Sequence, residues 1–153
     1  MDEGRFIVER RITQRVHDYW ASLCRGRRMP EESDIDPEQL GDDWPHCFLL
    51  QTRDIHHIEH FNFTYLGEGI VDAYAHAGID PENLYMVGPN AFYLAPQFLR
   101  VVKTMQPMFD ENQFVNACGR TVRYRQCLLP IGHDRHVEAI FGAILFKIEP
   151  TPR

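Results

Sequence analysis

The residues with the most chemical reach in this chain are its eight histidines and four cysteines, and their spacing decides what they can do. His56, His57 and His60 cluster, and His133 and His136 flank a turn signal. A zinc site needs three or four converging nitrogen, sulfur or oxygen ligands. His56 and His57 lead a strand-like run, where adjacent side chains leave on opposite faces, and His60 shares only the parity of His56. His133 and His136 have opposite strand parity, although a turn between them can bring them together. Solvated loop histidines account for the pattern, with a weak surface metal site as the alternative, and no metal ligand is assigned. Cys24, Cys47, Cys118 and Cys127 contain no Cys-x-x-Cys pair. With a turn at Gly119-Arg120, Cys118 sits beside it and Cys127 lies along the next strand, about 20 Å away and beyond disulfide reach. Reduced, mostly buried thiols are expected. Near them in sequence, only Arg120, Arg123 and Arg125 are placed to depress a thiol pKa.

Catalysis would ask for a nucleophile beside a base, or paired carboxylates in a cleft. The chain has no Gly-x-Ser-x-Gly elbow, Walker loop, His-Glu-x-x-His or Gly-x-Gly-x-x-Gly. The two glycines of Tyr65-Leu66-Gly67-Glu68-Gly69 are better explained as a strand-to-helix turn. A small metal- or thiol-dependent enzyme therefore ranks behind non-catalytic readings.

The elements that must position these residues follow from the apolar pattern. Val8, Ile12, Val16, Tyr19 and Leu23 recur at three- and four-residue steps, with Trp20 widening the stripe, so a helix is predicted from about Ile7 to Cys24. Gly26 and Pro30 end it. Asp36, Pro37, Gln39 and Gly41 write a short capped turn of helix. Cys47–Arg53 and Ile58–Leu66 read as strands, the second with Phe61, Phe63 and Tyr65 on one face. Gly67 and Gly69 lead into a helix through about Ala77. Leu84–Pro96 is interrupted by Gly88, Pro89 and Pro96, and Phe98–Met105 has helical spacing. Strands follow at Gln113–Cys118, Thr121–Ile131 and Val137–Ile148. The last is apolar at both parities, which demands cover on both faces, whereas an open antiparallel sheet has one polar face.

With 153 residues, one domain is the expectation, divided as an N-terminal helix (1–30) and a body (31–150). No apolar run approaches the roughly 18 residues of a membrane span, and the start, Met-Asp-Glu-Gly-Arg, does not resemble a secretory signal. A cytoplasmic protein is expected. Residues 5–28 hold seven arginines against Glu9 and Asp18, while residues 29–153 hold eighteen acidic side chains against nine basic ones. An acidic body argues against nucleic acid as a partner. The basic helix presents either a solvated arginine face or a docking surface for acids of this chain or a second subunit.

Taken together, these pieces resemble a PAS domain, specifically the stand-alone bacterial PAS proteins with an N-terminal helix. The resemblance rests on Tyr19-Trp20-Ala21-Ser22-Leu23 with Arg27-Arg28-Met29-Pro30, on Asp34-Ile35-Asp36-Pro37-Glu38-Gln39-Leu40, on Phe63-Thr64-Tyr65-Leu66-Gly67, and on Cys127-Leu128-Leu129-Pro130-Ile131-Gly132. It implies an α+β fold: a five-stranded antiparallel sheet with helices on one face, and an N-terminal amphipathic helix packing on the sheet or at a dimer interface. It also implies signal transduction through small-molecule or protein binding, often with dimerisation. Asn116-Ala117-Cys118-Gly119-Arg120 echoes the Asn-Cys-Arg motif of flavin-adduct PAS domains, but in a strand-rich region instead of a helix of the insertion. His76 ends a helix and reads as an exposed terminal histidine instead of a haem ligand. The cofactor is left unknown.

Against that fold, the aromatics concentrate where a PAS cavity would be lined. The candidate ligand-binding set is Phe63, Tyr65, Phe92, Tyr93, Phe98, Phe114, Asn116 and Tyr124, with Tyr65, Tyr93, Asn116 and Tyr124 supplying polar groups. The alternative is a solid core filled by the same aromatics. The expected function is a sensor or adaptor without catalytic output, a homodimer passing its signal to a protein partner. The competing reading is a ligand-free scaffold dimerising through the Val8–Leu23 stripe.

Overall fold

The computed structural model describes residues 2–52, 62–76, 91–115 and 119–149. Helix α1 (Asp2–Cys24) follows the apolar stripe. Ile12, Val16, Trp20 and Leu23 are buried and Tyr19 half-buried, while Gln14, Arg15, Asp18, Ala21 and Ser22 face outward. The side chain of Val8 lies outside what the structure describes. Arg25 and Gly26 take left-handed backbone angles, φ +49° and +82°, which stop the helix at the glycine. Two arginines of the basic segment dock on this chain's own acids. Arg15 makes a two-pronged contact with Asp43 at 2.8 and 2.7 Å, and Arg27 pairs with Asp34 at 2.9 Å. Helix α2 (Pro37–Leu40) is capped by Asp36, whose side chain accepts from the Glu38 N–H at 3.0 Å, and Gly41 closes it at φ +53°.

Among the described residues five strands form one antiparallel sheet: β1 (Cys47–Gln51), β2 (Asn62–Leu66), β3 (Met108–Val115), β4 (Thr121–His133) and β5 (His136–Ile148). Their order in space is β2-β1-β5-β4-β3, which puts β5 at the centre. That place explains its double apolar parity. Val137, Ala139, Phe141 and Ala143 pack with Ile12, Val16 and Trp20 of α1, while Ile140 and Ile144 pack on the other face with α3 (Glu68–His76) and α4 (Ala91–Thr104). The N-terminal helix is thus a cover for the sheet. The stripe from Ile12 to Leu23 is buried inside its own chain, the sheet-cover arrangement of the two expected for it.

Gly142 sits where β5 runs close to both of its neighbours, β4 and β1. A Cβ there would strike the Cys127 carbonyl oxygen and come within 2.7 Å of the Phe48 ring. One strand boundary and one helix boundary differ from the sequence expectation. β3 begins at Met108 instead of Gln113, because Asp110-Glu111-Asn112-Gln113 is polar at both parities and only pairing with β4 makes it a strand. α4 begins at Ala91 and runs through Pro96, which removes one helical hydrogen bond without ending the helix.

A bulge corrects the one-face reading of β2. Leu49 pairs with Tyr65 and Leu50 with Phe63, so Thr64 is an extra residue in the ladder. Phe63 and Tyr65 consequently leave the sheet on opposite faces.

Candidate functional site

The face of the sheet under α3 and α4 carries the apolar cluster in which several of the expected ligand-binding side chains fall. Phe63, Phe98 and Tyr124, drawn from β2, α4 and β4, meet in one cluster with Phe48, Leu50, Ile70, Val101 and Leu128. Phe63 meets Phe48 edge-to-face with ring centres 5.7 Å apart, and Tyr124 lies 6.4 Å from Phe146. Phe98 is only 2% exposed, pinned by its position one turn from Val101. Tyr65 does not join them. It stacks on Trp44 at 4.0 Å, nearly parallel, and donates its hydroxyl to the Trp44 carbonyl at 2.9 Å, on the α1 face. Burial pushes its phenol up to about 12. Phe92 and Tyr93 belong to α4 and Phe114 to β3, with side chains outside the described set, and Asn116 lies outside the described residues altogether.

One polar residue of this face escaped the sequence reading. Gln126 is buried on β4, at the same strand parity as Tyr124 and Leu128, and its Nε2 donates to Asp110 Oδ2 at 3.1 Å. That parity was the available signal, hidden by flanking arginine and cysteine.

The three described thiols are buried or half-buried. Cys47 and Cys127 are both register partners of Ala143, one strand to either side, and both are buried on the α1 face. Burial pushes both thiols up, that of Cys127 to about 12. Cys24 is half-buried, and its pKa is also raised by burial. His56, His57, His60 and Cys118 lie outside the described residues. His133 and His136 face each other as the last register pair of the β4–β5 hairpin, and His133 Nδ1 is 3.2 Å from Glu138 Oε1. Among the described residues no group of three or more His, Cys, Asp or Glu is placed to hold a metal.

On the opposite face, segments far apart in sequence close into one latch. Trp20 Nε1 donates to the Pro130 carbonyl at 2.8 Å, the Gly132 N–H to the Pro30 carbonyl at 3.0 Å, and the Asp36 N–H to the Tyr19 hydroxyl at 2.8 Å. These contacts join all the segments on which the family resemblance rests except Phe63–Gly67. A family model described as a PAS domain matches residues 8–145, from within α1 to within β5. The chain belongs to the PAS domain family. PAS domains are general sensory and interaction modules and are generally non-catalytic. No curated protein and no solved structure matches the chain. Among the described residues of this PAS domain, no helix is long and apolar enough to cross a membrane.

Proposed function

We propose that this PAS domain is a cytoplasmic sensor or adaptor of bacterial signalling without catalytic output. It takes a small molecule in the cup under α3 and α4 and passes the change to a protein partner through α1. One observation carries this reading: three aromatics from separate elements, Phe63, Phe98 and Tyr124, converge on a sheet whose other face holds α1. The two faces share their strands. Along β4, Leu128 points to the cup while Cys127 and Leu129 point to α1, so repacking one side displaces the other within a close-packed interior. The ligand then acts by favouring one sheet–helix arrangement over another. Phe92, Tyr93, Phe114 and Asn116 complete the proposed lining. The proposed homodimer uses a surface other than the Ile12–Leu23 stripe.

Native mass spectrometry of the purified full chain tests this. The expected result is a retained small molecule, lost on unfolding and lost in Phe98→Ala. A ligand-free scaffold is the second reading, favoured by the complete burial of Val101 and Leu128 beside Phe98. Repeated purification of bare protein, with no melting shift across a small-molecule panel, would establish the scaffold instead.

A further inference from the structure

The cup contains one polar feature that apolar packing does not explain. Gln126 lies between Tyr124 and Leu128 along β4, opposite Asp110 of β3 and Ile144 of β5. Tyr124, Leu128 and Ile144 all belong to the cluster under α3 and α4, so strand alternation delivers the Gln126 side chain into the same face. It is 1% exposed, and its Oε1 has no hydrogen-bond partner. The amide orientation is set by Asp110. A carboxylate only accepts, so Nε2 must face it and Oε1 must face away. A leucine or methionine would fill this volume without burying an unbonded carbonyl oxygen, which is costly in a protein interior. Asp110 takes one of the two Nε2 N–H groups, so what the pair leaves unmet is one acceptor, Gln126 Oε1, beside the negative charge of the Asp110 carboxylate.

Building on the ligand reading proposed above, we infer that Gln126 and Asp110 are the polar anchor of the cup and that its ligand is an amine or amidine with an apolar body. The N–H groups of such a molecule satisfy Oε1 and pair with the Asp110 carboxylate, while the body lies on Tyr124 and Phe98. Carboxylates and phosphates are disfavoured, because their negative charge would meet the Asp110 carboxylate and leave Oε1 without a donor.

Titration calorimetry and thermal melting of the full chain with benzamidine and benzoate test the assignment, since the two share a ring and differ in the sign of their head group. Benzamidine is expected to raise the melting temperature in a concentration-dependent way and to bind at least about tenfold more tightly than benzoate. Gln126→Met and Asp110→Asn should each abolish that preference, and Gln126→Met should melt no lower than the parent chain. Equal binding of benzoate, or an unchanged benzamidine preference in both variants, overturns the proposal. So does a crystal structure with an ordered water on Oε1 together with a lower melting point for Gln126→Met, which makes the residue a structural water site only. If neither probe binds while native mass spectrometry finds another retained molecule without an amine or amidine, the donor class fails and the cup reading stands. If no molecule is ever retained, both fail.

Discussion

Trp20 and Pro130 stand 110 residues apart in sequence and are joined by a hydrogen bond of 2.8 Å from the indole Nε1 to the proline carbonyl. β3 starts opposite Leu128, so among the described residues β4 has no strand paired with Pro130 on that side. A proline is tolerated there because its missing N–H breaks no ladder bond. Its carbonyl is left for the indole, and the N-terminal helix is fastened to the strand that carries Tyr124 and Gln126 on its other face.

Removing the latch should loosen α1 in two separable steps. Trp20→Phe keeps most of the packing but strands a buried carbonyl, at a cost of about 1–3 kcal/mol. Trp20→Ala also empties the volume and should cost about 3–5 kcal/mol. Urea denaturation of both variants reads the difference. Equal midpoints for parent and Trp20→Ala would mean that α1 is no cover for the sheet.

Gly142→Ala should destabilise by about 1–3 kcal/mol, because the new methyl meets the Cys127 carbonyl and the Phe48 ring in the centre of the sheet. In a chain of this size, each kcal/mol lowers the melting temperature by about 2–4 °C. Phe48→Leu in the same background should recover part of the loss, since the ring is half of the clash.

Stability should fall as the solution is acidified through the histidine range. His46 is half-buried at the end of the 41–46 turn, its ring beside Gly69, and burial holds its pKa below the usual value. A base with a depressed folded pKa binds fewer protons folded than unfolded. Its contribution is therefore present above the unfolded pKa of about 6.5 and lost as the pH falls below it. Asp18 and Asp34, both depressed carboxylates, act only below about pH 4. Denaturation midpoints between about pH 7.5 and 5 should therefore drop, and the drop should be shallower in His46→Gln. Parallel curves for the two proteins would remove His46 as the cause.

Alkylation should separate the thiols by burial. At about pH 8, iodoacetamide should modify Cys24 in the folded protein while leaving Cys47 and Cys127 untouched until denaturant is added, because their raised pKa keeps them protonated and burial keeps them closed. Peptide mass mapping reads each site. Rapid native modification of Cys127 would contradict a closed interior at β4.

The α1 stripe, the Asp36 cap, the strand-to-helix turn at Gly67 and the need to cover β5 on both sides were all legible in the sequence. Each is a local pattern whose cause lies within a few residues, in periodicity, capping or the backbone freedom of glycine. Which face each aromatic serves was not legible, because one inserted residue, Thr64, reverses the parity of Tyr65 relative to Phe63. The polar run from Asp110 to Gln113 became a strand only by pairing with β4, and Gln126 became a buried residue with an unpartnered oxygen only in the folded sheet. Register and burial depend on partners more than ten residues away. No pattern within a strand can encode them, and the sheet must assemble before they exist.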